Sequence, residues 1–374
     1  MTMQARNVPF FNYPALFQRD ESELMPLIRD VLARGAYIMQ KDLAEFEANL
    51  ARYLGVKHAI GVADGTMALV LAAKVAQLGP GDEVIVPSHT FVASAAAVHH
   101  AGARPVLVDC GPDHLIDPAS VEAAVTSRTR AIMPVQLNGR TANMDALQAI
   151  ADKHGLTIIE DSCQALGSKF RGRFAGTFGL AGTFSFYPSK TLGCFGDGGA
   201  FVTNDDRAAE QAVLLRDHGR AESGDVVLFG YNARLDNLQA AILNFKLARY
   251  QAEIDRRRQV ASMYDELLSE VGDLVLPPAP DSDPRHYDIF QNYEIETGER
   301  DRLRAYLEQN GVRTILQWGG KTIHQFPALK FEVKLERTDL LTRRFMLLPM
   351  NSSLSDDDVR YVGHHIRRFY GLRS

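Results

Sequence analysis

The feature that most constrains the fold is a regular alternation of short apolar runs with helical patterns. Helical patterns occur at residues 67–76, 93–100, 144–154 and from residue 117 onward. Seven runs have the length and apolar content of buried strands, at residues 58–63, 83–87, 105–108, 130–135, 156–161, 183–186 and 200–203. Strands that alternate with helices at this spacing form βαβ units. The sequence therefore predicts an α/β fold with a large α/β/α domain around a mostly parallel seven-stranded sheet.

The chain beyond residue 203 follows a different pattern. One long helix is predicted from residue 237 to about 265, and it would join two domains. Further elements are predicted as strands at residues 287–294 and 313–317 and as helices at residues 302–309 and 356–370. We therefore expect a large domain over residues 1–245 and a smaller α+β domain over residues 246–374.

Composition excludes several classes of protein. The 374 residues carry a formal net charge of -5 and are 46% apolar, which is typical of a globular protein and argues against nucleic-acid binding. No apolar run approaches the ~20 residues needed to cross a bilayer, and residues 1–11 lack the apolar core of a signal peptide. The three scattered cysteines suit a reducing compartment. We therefore expect a cytoplasmic protein without membrane insertion.

A lone lysine stands on a bend between two of the predicted strands. Pro188 ends the run at residues 183–186, Lys190 follows, and a glycine-rich turn at residues 193–199 leads into the next strand. A lysine held on a rigid turn beside apolar strands can lose solvation, which lowers its pKa and makes it a nucleophile toward carbonyl groups. The alternative interpretation is an exposed loop lysine.

A second candidate site is an anion-binding helix terminus. The first predicted strand is followed by Asp64 and by a helix that starts near Gly65, Thr66 and Met67. The first N–H groups of a helix point outward at the positive end of its dipole, so they can bind a phosphate. Asp64 is an acceptable N-cap, and helix capping is the alternative role for this turn.

Three further side chains are predicted at the carboxyl ends of strands, where open α/β sheets bind ligands. They are Phe91, Asp161 and Gln164, and Ser185 precedes Lys190 by five residues. Pyridoxal phosphate (PLP) requires a lysine for its aldehyde, a helix terminus and hydroxyls for its phosphate, a carboxylate for its pyridine nitrogen and an aromatic ring for its face. Taken singly, core packing of Phe91, a turn role for Asp161 and an inert Ser185 are the alternatives.

Nearly the whole chain resembles the sugar aminotransferase family named after DegT, DnrJ and StrS, within PLP fold type I. The resemblance implies an aspartate aminotransferase-like fold with a smaller C-terminal α+β domain. The matching motifs lie at residues 46–47, 65–69, 79–87, 90–91, 160–161, 164–165, 185–190, 196–199, 218–219 and 230–234.

The resemblance implies a role for each matching residue. Lys190 would bind the cofactor aldehyde covalently, Asp161 would pair with the pyridine nitrogen, and Gln164 would approach the ring hydroxyl. Asn232 would reach the phosphate from a partner subunit, which implies a homodimer with shared active sites. The other phosphate ligands would be Gly65, Thr66 and Ser185.

The resemblance also implies the reaction. Glutamate is the expected amino donor, a nucleotide-linked keto-deoxysugar is the expected acceptor, and the cofactor alternates between its pyridoxal and pyridoxamine forms. Amino-sugar synthesis for O-antigen or other polysaccharides is the expected pathway class. Two alternatives stay open: a PLP-dependent sugar dehydratase of the same family, and a regulatory homologue without turnover. Family dehydratases carry His where this chain has Lys190, which favours aminotransfer.

Substrate-binding residues are expected in the segment 314–325 and near its entrance. Trp318, Lys321 and His324 lie in this segment, and Arg234 or Lys321 could meet the diphosphate. A structural role is the alternative for Trp318 and Lys321. The eleven histidines show no spacing typical of a metal site.

Three positions depart from the family pattern. Asp64 stands where Asn or Ser is frequent, Cys163 replaces a small residue, and residues 192–195 replace a more polar turn. A negative charge at Asp64 is compatible with a phosphate only if its carboxylate caps the helix and points away. Cys194 is expected to be an ordinary loop cysteine.

Overall fold

The computed structural model describes residues 6–372. In chain order, the helices are α1 (Tyr13–Ala33), α2 (Lys41–Leu54), α3 (Gly65–Val75), α4 (Ala93–His100), α5 (Pro118–Ala124), α6 (Met144–His154), α7 (Asp206–Arg216), α8 (Asn237–Leu247), α9 (Tyr250–Leu268), α10 (Arg300–Gln309), α11 (Glu336–Arg344) and α12 (Asp356–Phe369). The strands are β1 (His58–Val62), β2 (Glu83–Pro87), β3 (Arg104–Val108), β4 (Thr129–Ile132), β5 (Thr157–Asp161), β6 (Lys169–Phe170), β7 (Arg173–Phe174), β8 (Ala181–Ser185), β9 (Gly199–Thr203), β10 (His286–Tyr287), β11 (Tyr293–Glu296) and β12 (Phe345–Leu348).

Seven strands form the central sheet, in the order β1-β9-β8-β5-β4-β2-β3. The neighbours from β8 through β5, β4 and β2 to β3 are parallel, whereas β9 runs antiparallel to both β1 and β8. Helices α3, α4 and α7 share one apolar core with the sheet, and α2 and α8 share another. Burial on both faces explains the nearly continuous apolar character of these strands. The predicted α/β fold with a mostly parallel seven-stranded sheet is confirmed.

The long helix predicted from residue 237 to about 265 is wrong, because the chain forms two helices there. Helix α8 ends at Leu247 and α9 begins at Tyr250. Arg249 leaves helical geometry, with φ -116° and ψ 7°, so the two helix axes can diverge. No glycine or proline marks the break. Packing of Tyr250 and Ile254 into the core beside Leu166 accompanies it instead.

The strands predicted in the C-terminal part are also corrected. The run at 287–294 is replaced by short β10 and by β11, which pairs antiparallel with β12, a strand that the pattern did not predict. The run at 313–317 forms only an isolated bridge, between Ile315 and Leu347, and a second isolated bridge joins the preceding Val312 to Val8. A strand cannot continue there because Trp318 takes a positive φ of 51°.

A separate apolar core lies in the C-terminal part and is built by α9, α10, α12 and the β11–β12 pair, together with Val8. Within the described residues 6–372, no helix combines the length and the apolar content needed to span a membrane.

The sheet register brings the predicted site residues to one edge. Asp161 at the end of β5 pairs with Thr183 in β8, and Val62 at the end of β1 pairs with Gly199 at the start of β9. The carboxyl ends of β1, β5 and β8 therefore meet at the start of β9. Because side chains alternate along a strand, Glu160 faces away from Asp161, and its buried carboxylate accepts N–H groups of Gly176 and Gly179.

Candidate active site

Lys190 lies on the bend that follows β8, as the sequence predicts. Its backbone N–H donates to the Tyr187 carbonyl at 2.8 Å, and Gln291 binds the loop by accepting from Thr191 N at 2.7 Å and donating to Ser189 O at 2.8 Å. Burial lowers the pKa of Lys190, and the nearby Cys163 and Asp161 oppose this effect. A lysine with a lowered pKa has more of the neutral amine that attacks a carbonyl.

Asp161 is buried and fixed in orientation. Its Oδ2 accepts the Ser94 hydroxyl at 2.7 Å, and its Oδ1 accepts the Cys163 N–H at 3.2 Å. Ser94 also lies 3.0 Å from the Thr90 hydroxyl. Burial and the neighbouring Asp161 raise the pKa of the Cys163 thiol, so the thiol stays neutral beside Lys190.

The start of α3 lies against Ser185 and forms a cradle with free backbone N–H groups. Asp64 caps the helix, since its Oδ1 accepts the Met67 N–H at 2.8 Å, and the cap leaves the N–H groups of Gly65 and Thr66 for a ligand. A Cβ atom at Gly65 would lie 2.8 Å from Ser185 Cβ and 2.9 Å from Cys163 Sγ. Only glycine therefore allows this helix terminus to approach Ser185.

The turn before β9 supports this cradle. A Cβ atom at Gly199 would lie 2.5 Å from the Asp64 carbonyl oxygen and 2.8 Å from Gly65 N. Cys194 in the same turn is buried and donates its thiol to the carbonyls of Phe186 and Gly196, at 3.1 and 3.3 Å. This bonding agrees with an ordinary structural role for the cysteine.

Phe91 and Gln164 lie at the same edge of the sheet. Phe91 follows β2 and exposes 53% of its surface, which is unusual for a phenylalanine and leaves a ring face for stacking. Gln164 follows β5, and its Oε1 accepts from Asn138 N at 2.9 Å and from Asn292 Nδ2 at 3.2 Å. Its amide nitrogen is thereby directed away from these two partners.

Asn232 and Arg234 lie in an extended segment beside the end of β1, where Ala63 N donates to the Ala233 carbonyl at 2.9 Å. Asn232 is exposed. Arg234 is half-buried, and its Nη1 donates to Asp217 Oδ1 at 2.6 Å. The Arg234 guanidinium therefore already has an anionic partner, Asp217, within the same chain.

The remaining predicted substrate residues are placed differently from one another. His324 has both ring nitrogens paired, Nδ1 with Ser88 Oγ at 2.7 Å and Nε2 with Asp339 Oδ1 at 3.1 Å. Trp318 packs edge-to-face on the ring of His89, with ring centroids 5.3 Å apart. Lys321 is exposed, and its Nζ lies 5.9 Å from the centroid of the Phe326 ring.

A cavity of about 380 Å³ opens beside the Lys190 loop. Its lining includes Phe11, Tyr13, Tyr187, Ser189 and Phe195. Tyr187 and Ser189 are sequence neighbours of Lys190, so their position could have been inferred from the motif. Tyr13 begins α1 and Phe11 precedes it, and neither residue carries a local signal.

The structure also brings together histidines that the sequence spacing did not relate. His89 Nε2 and His114 Nδ1 lie 3.1 and 2.7 Å from Glu294 Oε1, and all three residues are buried. His114 Nε2 lies 2.8 Å from Glu296 Oε1. Burial opposes protonation of His114, but its hydrogen bonds to Glu294 and Glu296 prevail and raise its pKa to about 9. The cluster is therefore a proton-bridged ion-pair network.

Comparison with known proteins decides the family. The model of the DegT/DnrJ/EryC1/StrS aminotransferase family matches residues 18–367. The chain belongs to this family. The family resemblance, the enzyme class and the PLP cofactor that the sequence predicts are thereby confirmed, and the chain is a PLP-dependent aminotransferase.

Relatives from this family match over nearly their whole length. A dTDP-3-amino-3,4,6-trideoxy-alpha-D-glucose transaminase of Streptomyces venezuelae is 41% identical, with coverage of 98% of this chain and 94% of the relative. A pleiotropic regulatory protein of Geobacillus stearothermophilus is 40% identical, with coverage of 97% and 99%. The crystal structure of S. venezuelae DesV in complex with a ketimine intermediate has a TM-score of 0.94 at 39% identity, covering 98% of this chain and 100% of that one.

Proposed function

We propose that this aminotransferase transfers an amino group from glutamate to a nucleotide-linked keto-deoxysugar. The observation that carries the proposal is the position of Lys190 beside Asp161, at the edge where Gly65 and Ser185 form the anion cradle. The S. venezuelae relative named as a dTDP-amino-sugar transaminase supports the acceptor class. Glutamate is proposed from the family resemblance.

The residues present fit PLP. Gly65, Thr66 and Ser185 would bind the phosphate, and the Asp64 carboxylate would not oppose it because it is turned onto Met67 N. Asp161 would hold a proton on the pyridine nitrogen, and PLP, when bound, supplies an electron sink for the carbanion left by proton removal.

Lys190 would carry out the proton transfers at the substrate carbon. Its Nζ, whose pKa burial lowers, can take up a proton from a carbon atom and return it to another. Phe91 would cover one face of the pyridine ring of PLP and limit the access of water from that side.

The sugar nucleotide is proposed to enter through the cavity beside the Lys190 loop. Tyr13, Tyr187 and Ser189 offer hydroxyls at its wall. Among the four substrate residues predicted from sequence, Lys321 keeps an exposed ammonium group for a phosphate, whereas His324 and Arg234 are engaged within the chain. Trp318 would act by shaping the adjacent segment.

We further propose a homodimer in which Asn232 reaches the phosphate of the partner's site. The preceding loop supports this arrangement, because Val226, Val227 and Phe229 expose 65%, 59% and 101% of their surface. Such apolar exposure in one loop is typical of an interface. The three free cysteines support a reducing, cytoplasmic location.

We also propose a division of the chain into two domains and a biosynthetic pathway that uses the product. A boundary near residue 245 is supported by the break between α8 and α9 and by the separate C-terminal core. Use of the product for O-antigen or other polysaccharides is proposed from the family resemblance alone.

Absorption spectroscopy of the purified protein tests the function. With PLP added, a visible band should appear, and glutamate should bleach it as the pyridoxamine form accumulates. A panel of dTDP-, UDP- and GDP-linked keto-sugars should then restore the band only for the true acceptor class. Lys190→Ala is the control that should bind PLP without the protein-linked band. A protein that forms the band but responds to no keto-sugar would contradict the proposed substrate class.

A further inference from the structure

Four side-chain amides form a hydrogen-bonded ring beside the proposed cofactor site. Gln317 Nε2 donates to Asn138 Oδ1 at 2.8 Å, and Asn292 Nδ2 donates to the same oxygen at 2.9 Å. Asn292 Nδ2 also donates to Gln164 Oε1 at 3.2 Å, and Gln164 Nε2 donates to Gln317 Oε1 at 3.4 Å. The ring joins a residue of the cofactor edge to the segment that follows α10.

One carboxylate fixes the orientation of the Gln317 amide in this ring. Glu294 Oε2 accepts from Gln317 Nε2 at 2.9 Å, and an ionised carboxylate can only accept. Burial opposes ionisation of Glu294, but His89 and His114 prevail and hold its pKa well below the usual range. Gln317 must therefore turn its nitrogen toward Glu294 and its oxygen toward Gln164.

The orientation of the Gln164 amide follows from these contacts. Its oxygen is already occupied by Asn138 N and Asn292 Nδ2. Its nitrogen faces the Gln317 oxygen with one N–H, and the second N–H has no partner among residues 6–372. An amide that was flipped would set its oxygen against the Gln317 oxygen and its nitrogen against two donors.

We propose that Gln317 and Glu294 are positioning residues that fix Gln164 as a hydrogen-bond donor toward the cofactor. The ring hydroxyl of PLP carries an oxygen that accepts a hydrogen bond when it is ionised, and a donor stabilises it whereas an amide oxygen would repel it. This inference rests on the proposed contact of Gln164 with that hydroxyl. Through Gln317, the buried charge of Glu294 thereby acts together with the Asn138 backbone N–H to orient a group that Glu294 does not contact.

Paired glutamine variants in one segment test whether Glu294 and Gln317 act on the cofactor through Gln164, an effect that we call the relay. Gln317→Met removes three hydrogen bonds at nearly constant volume. Gln325→Met is the matched control, because Gln325 also makes three, to Thr322 N, Asp339 and Thr342, but none to the amide ring. The measurements are the dissociation constant of PLP and the pH midpoint of the visible band of the bound cofactor, with thermal unfolding as a check on folding.

We expect Gln317→Met and Gln164→Met each to weaken PLP binding about threefold to tenfold, the range for one neutral hydrogen bond. Both should shift the pH midpoint of the band in the same direction, and the double variant should bind no more weakly than Gln164→Met alone. Gln325→Met should keep the wild-type values. Asn292→Leu, which removes a donor to Gln164 Oε1, should reproduce the shift if Gln317→Met does not fold.

Other outcomes overturn the relay. If Gln317→Met matches Gln325→Met, or if its effect adds fully to that of Gln164→Met, Gln317 does not act through Gln164. If Gln164→Met itself leaves both measurements unchanged, the contact of Gln164 with the cofactor is wrong, and the relay falls with it. A wild-type protein that binds no PLP would contradict the proposed cofactor site itself.

Discussion

The Ser94 hydroxyl lies 2.7 Å from Asp161 Oδ2 and ties the carboxylate to the start of α4. Ser94 is fully buried, and the second Asp161 oxygen accepts a backbone N–H, so the carboxylate has one fixed orientation. A pyridine nitrogen needs such a carboxylate in a fixed plane, because a charge-assisted hydrogen bond is sensitive to geometry.

Ser94→Ala should therefore weaken PLP binding without preventing folding. We expect a loss of about threefold to tenfold in affinity, the contribution of one hydrogen bond that is removed from a buried partner. Ser162→Ala is the matched control, because the Ser162 hydroxyl is buried next to Asp161 and has no hydrogen-bond partner among the described residues. Equal PLP dissociation constants for the two variants would contradict the positioning role of Ser94.

Gly199→Ala should disturb the anion cradle through the Asp64–Gly65 backbone, against which Gly199 packs. Its new Cβ would lie 2.5 Å from the Asp64 carbonyl oxygen, and backbone atoms cannot move aside as a flexible side chain can. We expect a loss of stability of roughly 1–3 kcal/mol, typical of overpacking, together with weaker PLP binding. Gly79→Ala, where nothing lies within 4 Å, should leave the thermal midpoint and PLP affinity unchanged.

Local pattern was sufficient to predict the sheet and the residues at its edge. The seven strands, the cap at Asp64 and the bend that carries Lys190 depend on residues close in sequence, such as Pro188. The structure contains these features as predicted, because a turn or a cap is completed within a few residues.

Long-range contacts account for what the sequence did not reveal. His324 looked available for a ligand, but Ser88 and Asp339 occupy its ring nitrogens from distant parts of the chain. The amide ring that includes Gln317 has the same origin. The break at Arg249 lacks a breaker residue and depends on tertiary packing, which overrides the helical pattern.

The His114 network should make stability depend on alkaline pH. The pKa of His114 is about 9, above its ordinary value near 6.5, because Glu294 and Glu296 stabilise the charged form against burial. The stabilisation is therefore fully present below pH 6.5 and is lost as the pH rises through about 9. His114→Gln should destabilise the fold by roughly 1–3 kcal/mol at pH 7, since both carboxylates lose one charged partner. They are not left unpaired, because Glu294 keeps His89 and Glu296 keeps Arg337.

Thermal unfolding at pH 7 and pH 10 checks this expectation. The midpoint difference between wild type and His114→Gln should shrink at pH 10. His99→Gln, an exposed histidine on α4, should match wild type at both values. A difference that stays constant between pH 7 and pH 10 would show that proton bridging is not what His114 contributes.

A composite active site can be tested by mixing two inactive variants. Lys190→Ala removes the nucleophile, and Asn232→Ala removes the proposed phosphate contact to the partner. Asn232 is exposed in its own chain, so its truncation should not unfold the protein. If each site takes Lys190 from one subunit and Asn232 from the other, a mixed dimer regains one intact site of two. Random exchange should then yield about a quarter of wild-type activity, because half of the dimers are mixed in a twofold-symmetric assembly.

Differently tagged copies allow the mixed dimers to be purified and counted before the assay. Each variant alone provides the control, and so does a mixture kept below the temperature at which subunits exchange. Activity that rises in proportion to the mixed fraction supports a shared site, because neither subunit holds both residues in functional form. Mixed dimers that are present in the expected amount but are no more active than the separate variants would place Asn232 in the same site as its own Lys190.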